Sequence, residues 1–114
     1  MSITADLLRG HTETIILAHL FRKDSYGYEI NKHIQEKSGG LFEFKEATLY
    51  GAFRRLEETG AITSYWGGEA TGARRRYYTI TDNGRVLYED NLAEWKQAKT
   101  LIDTFISVEG NSNE

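Results

Sequence analysis

The sequence contains no cysteine and no proline. Without cysteine it can form no disulfide, no cysteine nucleophile and no cysteine-ligated zinc site. Because proline is absent, its turns must depend mainly on its 11 glycines. No apolar run approaches the roughly 18 residues of a membrane span, and the N-terminus lacks the pattern of a signal peptide. We therefore expect a cytoplasmic protein with no membrane partner.

Net charge is also small, at -3, which argues mildly against a nucleic-acid partner. Its distribution weakens that objection. Residues 44–85 carry seven basic and five acidic side chains, a net of +2, whereas residues 86–114 carry two and six, a net of -4. Only a local positive potential is needed to meet phosphate.

The chain lacks catalytic and cofactor motifs. It has no Ser-His-Asp arrangement, no P-loop and no G-x-G-x-x-G. His11, His19 and His33 have no carboxylate or second histidine at zinc spacing. We expect no cofactor, no metal and no enzymatic activity.

Apolar periodicity predicts one domain of three helices, a hairpin and a long final helix. The helices are expected at 3–22, 26–37, 46–58 and 82–107, and the strands at 62–66 and 74–80. Asp24 or Ser25 could cap the second helix, and Thr81 the last. This mainly α order with a small β-hairpin is that of a winged helix-turn-helix domain, whose third helix enters the major groove.

This order divides the chain into three segments. We predict a DNA-binding winged helix over 1–81, a dimerisation helix over 82–107 and a flexible tail over 108–114.

The third helix has one apolar face and one polar face. Thr48, Gly51, Arg54 and Arg55 share the polar face, where they could reach bases and phosphates. Gly51 costs roughly 1 kcal/mol of helix stability but would let the backbone approach a duplex. A solvated face with an incidental glycine would give the same pattern.

Three arginines, Arg74, Arg75 and Arg76, stand at the base of the hairpin. Arginine can grip phosphate bidentately or enter a narrow minor groove. A solubilising loop in which one arginine pairs with Glu69 is the alternative. The hairpin is the wing of the predicted domain. An arginine-bearing helix followed by an arginine-bearing wing favours double-stranded DNA as the partner.

The final helix carries an apolar stripe wider than a small domain can cover, which predicts a homodimer. The residues expected at the dimer interface are Tyr88, Leu92, Trp95 and Ile102. Trp95 is either a core or dimer-interface tryptophan or an aromatic platform for a planar ligand between subunits.

Together these segments resemble the PadR family of bacterial transcriptional regulators, in its short form with a single C-terminal helix. The matching segments are Leu8-Arg9-Gly10, Tyr26-Gly27-Tyr28-Glu29-Ile30, Ala47-Thr48-Leu49-Tyr50, Arg54-Arg55-Leu56-Glu57 and Arg75-Arg76-Tyr77-Tyr78. The family often has proline where this chain has Gly51.

The resemblance implies a homodimeric repressor of a palindromic operator, released by an aromatic or drug-like effector at the dimer interface beside Trp95. It also implies DNA contacts at Lys45, Thr48, Tyr50 and the wing arginines. Two alternatives remain open: a winged-helix protein-interaction module, and a ligand-binding dimer that does not bind DNA.

Overall fold

The computed structural model describes residues 2–68, 72 and 74–108. Within this part the chain is mainly helical, with one antiparallel hairpin, as predicted. The elements in chain order are α1 (Ile3–Gly10), α2 (Thr12–Leu20), α3 (Gly27–Lys37), α4 (Glu46–Glu58), β1 (Ile62–Gly67), β2 (Arg75–Ile80) and α5 (Asp82–Ile106).

The core lies where α2, α3 and α4 meet the hairpin. Buried apolar side chains come from every one of these elements: Ile16, Leu17, Leu20, Ile30, Phe44, Leu49, Phe53, Leu56, Ile62 and Tyr78. The ring of Tyr78 stacks on that of Phe53 at a centroid distance of 4.0 Å. Burial raises the pKa of the Tyr78 phenol. Each large side chain buried in this way contributes about 1.5–3 kcal/mol to folding.

The prediction of one continuous helix over residues 3–22 is wrong. The helix breaks at His11, whose backbone is not helical (φ -112°, ψ 18°). The Thr12 hydroxyl donates a hydrogen bond to the Arg9 carbonyl at 2.6 Å and so satisfies one of the free groups at the end of α1. Gly10, directly before the break, lowers the cost of leaving the helix.

The predicted caps of the second helix are also wrong. The N-cap position of α3 is Tyr26, and its side chain makes no capping hydrogen bond. Ser25 is instead fully buried, and its backbone exchanges two hydrogen bonds with Tyr78, at 2.7 and 3.2 Å. This bridge adds a short third segment to the hairpin. The Ser25 hydroxyl donates a hydrogen bond to the Glu29 carboxylate.

The turn between α3 and α4 is fixed by Asn31. Its side-chain amide donates to the carbonyl of Phe44 at 2.7 Å, and its side-chain oxygen accepts from the Phe44 amide at 2.8 Å. Gly39 and Gly40 end α3 with φ angles of 65° and 83°, which glycine adopts without strain. Because Phe44 is buried, these bonds fix the position at which α4 begins.

Thr81 caps α5, as predicted. Its side chain accepts a hydrogen bond from the Gly84 amide at 3.0 Å. Gly84 is buried against the hairpin, and a Cβ added there would lie 2.1 Å from the carbonyl oxygen of Ala61. Only glycine permits α5 to start so close to the turn that precedes β1.

Helix α5 divides into two halves. The first half packs on α2, where Tyr88 meets Phe21 and the Asn91 amide donates to the Thr14 hydroxyl at 3.0 Å. The second half is exposed, and so is α1. The molecule is consequently elongated, with extents of 59 × 31 × 22 Å.

Among the described residues, none of the helices is both long and apolar enough to cross a membrane. The predicted flexible tail lies outside these residues except for Val108, and the predicted three-segment division stays a prediction.

Candidate nucleic-acid interface

Helix α4 buries one face and leaves the other open. Leu49, Phe53 and Leu56 are buried, whereas Arg54 is exposed. Lys45 occupies the N-cap position with an exposed side chain, and Thr48 is partly exposed. The predicted polar face therefore exists and can be reached from solvent.

Gly51 lies at the centre of this open face. A Cβ added to it would meet only the side-chain nitrogens of Arg55 and Arg54, at 3.6 and 3.9 Å. Packing therefore does not require glycine here, in contrast to Gly84. The bare backbone at Gly51 is a surface feature of α4.

Tyr50 has a structural contact that the sequence did not indicate. Its ring is half-exposed, and its hydroxyl lies 2.5 Å from the position that a Cβ on Gly27 would occupy. The ring also packs edge-on against Phe53, with centroids 5.4 Å apart. Tyr50 thus holds α4 against the first residue of α3, and only part of its surface is free for DNA.

Arg55 has a partner within the chain. Its Nε donates to Oε2 of Glu13 at 2.7 Å, which joins α4 to the first turn of α2. Its predicted role as a phosphate contact stays a prediction, and it must compete with this ion pair.

The three wing arginines are divided between two faces of the hairpin. The guanidinium groups of Arg74 and Arg76 lie over the ring of Trp66, at 4.8 and 5.7 Å from its centroid. Arg75 lies over the ring of Tyr26, at 4.8 Å. Successive side chains of a strand point to opposite faces, so adjacent arginines separate in this way.

The wing is held against α4 by Glu57. Its Oε2 accepts from the Ser64 hydroxyl at 2.6 Å and lies 3.8 Å from the guanidinium of Arg76. Glu69, the partner considered from the sequence, lies outside the described residues.

A second contact fixes the other face of the wing. The Tyr65 hydroxyl donates to Asp24 at 2.6 Å, and this hydrogen bond raises the pKa of Tyr65 to about 12. The Tyr65 ring stacks on that of Tyr77, its partner across the hairpin. The wing therefore contacts the protein on both of its faces.

Trp95 borders a cavity of about 490 Å³ between α1, α2 and α5. His11 packs edge-on against the Trp95 ring at 4.8 Å, and Glu13, Arg55 and Ile102 also line the cavity. Of the four residues predicted for the interface and ligand, Trp95 and Ile102 meet here. Tyr88 instead contacts Phe21, and Leu92 is partly buried without lining this cavity.

The structure also brings His19 and His33 together, with ring centroids 5.0 Å apart, beside a second cavity of about 840 Å³. Nε2 of His19 is buried and has no hydrogen-bond partner there. Four basic and two acidic side chains line the same cavity, an excess that opposes a bound cation: Arg22, Lys23, Lys32, Lys37, Glu29 and Glu36. In the described part of the chain, no three histidine or carboxylate side chains are placed to hold a metal.

The sequence and the fold match known transcriptional regulators. A sequence profile of the transcriptional regulator PadR-like family matches residues 16–90, more than half of the chain. The chain belongs to this family. The predicted resemblance to PadR is therefore confirmed, and so is the expectation of a transcriptional regulator and not an enzyme.

Several relatives match over nearly their whole length. A transcriptional regulator from Clostridium thermocellum shares 46% identity over 93% of this chain and 100% of its own, with a TM-score of 0.84. A PadR family regulator from Clostridium difficile shares 36% identity over 85% of this chain and 99% of its own, with a TM-score of 0.73. An uncharacterised protein of Lysinibacillus sphaericus is 40% identical over 91% of this chain and 95% of its own length.

Bacillus subtilis PadR, a negative transcriptional regulator, is a more distant relative. It is 29% identical over 92 residues, which cover 80% of this chain but 50% of that protein. Its crystal structure in complex with operator DNA has a TM-score of 0.62 and 28% identity, over 70% of this chain and 45% of that one. The chain thus corresponds to about half of B. subtilis PadR.

Proposed function

We propose that this chain is a cytoplasmic, homodimeric repressor that binds a palindromic operator and releases it when a planar aromatic ligand binds beside Trp95. The observation that carries the proposal is the open face of α4 around Gly51. One side of α4 is buried, and the other combines a bare backbone with the exposed cation of Arg54. Such a face suits the major groove, where Thr48, Gly51 and Arg54 would approach base edges.

Lys45, Tyr50 and the wing arginines would hold the phosphate backbone. The contacts of Arg74 and Arg76 with Trp66 support this role, because a guanidinium over a ring still presents its N–H edge to an anion. Glu57 fixes the wing relative to α4, so both surfaces would meet one duplex together. The operator complex of B. subtilis PadR supports DNA as the partner.

The dimer would form through α1 and the second half of α5, whose apolar side chains are uncovered within one chain. Two-fold symmetry would place two copies of α4 in half-sites about one helical turn, ~34 Å, apart. The cavity beside Trp95, at about 490 Å³, falls within the usual range for small-molecule sites. To release DNA, the ligand must bind the DNA-free dimer more tightly than the DNA-bound dimer.

The salt dependence of binding tests the DNA interface. We expect the affinity for a duplex from the protein's own promoter to fall steeply with ionic strength, because lysine and arginine displace counterions from phosphates. Replacing Arg75 and Arg76 with alanine should reduce the slope of log K against log salt by about 0.9 for each phosphate that the variant no longer neutralises. The measurement is fluorescence anisotropy at several salt concentrations.

Lys96→Ala is the matched control, because Lys96 is an exposed cation on α5, outside α4 and the wing and to one side of the face that carries Trp95 and Ile102. It should leave the slope unchanged. An unchanged slope in the double arginine variant would show that Arg75 and Arg76 of the wing do not contact phosphates. No binding of any promoter duplex would favour a protein-interaction module or a ligand-binding dimer.

Gly51→Ala tests the face of α4 directly, with opposite effects on stability and binding. Alanine should stabilise the free protein by up to about 1 kcal/mol, because the site is helical and has room for a Cβ. It should also weaken operator binding by about tenfold, which corresponds to ~1.4 kcal/mol of binding free energy. Urea unfolding and anisotropy measure the two effects.

Gly10→Ala is the control for this substitution. Gly10 is also helical, and a Cβ there would meet nothing within 4 Å. Its DNA affinity should fall less than that of Gly51→Ala, because Gly10 lies outside α4 and the wing. Unchanged DNA affinity in Gly51→Ala would mean that the centre of α4 does not approach the duplex closely.

A further inference from the structure

We propose that the break between α1 and α2 couples the cavity beside Trp95 to α4, through His11, Glu13 and Arg55. The consequence for operator binding rests on the proposed function. The mechanical link itself rests on three contacts that follow one another through the structure.

The first contact is between the cavity and the helix break. The ring of His11 packs against that of Trp95 with centroids 4.8 Å apart and planes at 68°. Both residues line the same cavity. A planar molecule that stacks on this side of Trp95 must therefore displace the His11 ring from it.

The second step runs from His11 to Glu13. His11 is the non-helical residue between two helices, and its side chain makes no capping hydrogen bond to α2. From Ile16 onwards α2 is anchored in the core, where Ile16 and Leu17 are fully buried. The first turn of α2 follows His11 directly and carries Glu13. It is held by the buried Thr12 and by the hydrogen bond between Thr14 and Asn91. Displacement of His11 therefore acts on these contacts and through them on Glu13.

The third contact joins that turn to α4. Glu13 Oε2 accepts from Arg55 Nε at 2.7 Å, and both side chains line the cavity wall. The other end of the Arg55 guanidinium lies 3.6 Å from the position of a Cβ on Gly51. One side chain thus borders both the cavity and the open face of α4.

Arg55 provides two alternative arrangements, which coupling between sites requires. Its guanidinium can remain paired with Glu13 beside Gly51, or it can leave that position when Glu13 moves. Occupancy of the cavity would then change the charge and shape of the surface around Gly51. In this assignment Arg55 is a positioning residue, and its effect on DNA depends on Glu13.

Hydrogen exchange of the α4 amides tests the link without DNA or a known ligand. Trp95→Leu removes the ring against which His11 packs. The variant therefore imitates a planar molecule that covers this ring and displaces His11 from it. We expect this change to alter exchange in α4 by about two- to fivefold, the range for one partly exposed ion pair. In a Glu13→Gln background the same substitution should produce no change in α4.

Arg76→Gln is the matched control, because it breaks a second ion pair of α4, the one between Arg76 and Glu57. In that background the response to Trp95→Leu should persist. An equal response with and without Glu13, or no response in either, would overturn the proposal. If Trp95→Leu does not fold, Trp95→Phe enters the same cycle.

A second measurement separates this proposal from the proposed function. Glu13→Gln and Arg55→Gln should change the affinity for the promoter duplex alike, with unchanged salt slopes, and the double variant should be no worse than either. A lower slope in Arg55→Gln alone would make Arg55 a phosphate contact and overturn the assignment. If no duplex binds, the proposed function fails, and the exchange experiment still decides the link.

Discussion

The packed body, formed by residues 12–68 and 74–94, and the arm, formed by α1 with residues 95–106, differ in how far their apolar side chains are buried. In the body Ile16, Leu17 and Ile30 are completely buried within one chain. In the arm Ile3, Phe105 and Ile106 are 79%, 75% and 71% exposed. Both regions show helical apolar periodicity, but the buried core cluster of the described residues lies entirely in the body, and α1 has no buried residue.

Apolar periodicity therefore has a different thermodynamic consequence in each region. Apolar area in the body is removed from water when a single chain folds, at about 25 cal/mol per Å². Apolar area in the arm is removed only if another surface covers it. The stability of the body should therefore be independent of protein concentration, whereas the order of the arm should depend on it.

Gly84→Ala should have the largest effect, because it lowers the free energy of unfolding of the body. Its Cβ would lie 2.1 Å from the Ala61 carbonyl oxygen, which also accepts a hydrogen bond from the Thr81 amide, while the Thr81 hydroxyl donates to the neighbouring Gly60 carbonyl at 2.6 Å. Moving α5 away would disturb these bonds and the packing of the junction. We expect a loss of about 3 kcal/mol or more, measured by urea unfolding.

Gly10→Ala in the arm gives the contrast. A Cβ there has open space, so the free energy of unfolding should change by less than about 0.5 kcal/mol or rise slightly. If Gly84→Ala were as well tolerated as Gly10→Ala, the close approach of α5 to the hairpin would not be a requirement of the fold.

Phe105→Asp should weaken the dimer formed by the arm and leave the body folded. A charge placed in an apolar interface should raise the dimer dissociation constant by about 30-fold or more, as for a hot spot worth ~2 kcal/mol. Sedimentation equilibrium measures this constant. The near-ultraviolet circular dichroism of the body aromatics should stay unchanged in the monomer.

Thr104→Asp introduces the same charge on the polar side of α5 and should leave the dimer intact. A Phe105→Asp variant that sediments like the parent protein would exclude the end of α5 from the interface. Loss of the aromatic signal in Phe105→Asp would show that the body depends on the arm for its stability.

The parts of the fold that depend on local patterns could be predicted from the sequence. The predicted third helix has the bounds of α4, because Leu49, Phe53 and Leu56 recur at helical spacing and Gly60 ends the helix. The sequence also predicts Thr81 as the N-cap of α5, because threonine is favoured at that position. The break at His11 was missed because apolar residues continue on both sides of it, although Gly10 was a usable signal.

The side chains of the site could be identified by type but not by partner. Glu13 and Arg55 are 42 positions apart, and no local pattern pairs them. The contact of His19 with His33 likewise joins two different helices, α2 and α3, and no local pattern pairs these residues. The separation of Arg75 from its two neighbours, in contrast, follows from strand alternation and could have been predicted.

The last prediction concerns a histidine in the packed body. Burial, together with the neighbouring charges of His33, Lys23 and Arg22, lowers the pKa of His19 below its ordinary value of 6.5, although Glu29 opposes the shift. Below pH 6.5 the unfolded chain therefore binds a proton that the folded chain resists. Its contribution to stability is fully present above pH 6.5 and is lost as the pH falls through the lower, folded-state pKa.

Urea unfolding between pH 7.5 and 5 should consequently show a smaller loss of stability in His19→Asn than in the parent protein. The effect should be the smallest of the three, because one proton on one side chain is involved. His33→Asn should give an intermediate loss, because it removes the neighbouring charge but leaves His19 buried. If His19→Asn and the parent protein lose stability equally, burial does not hold His19 neutral, and other groups carry the acid sensitivity of the body.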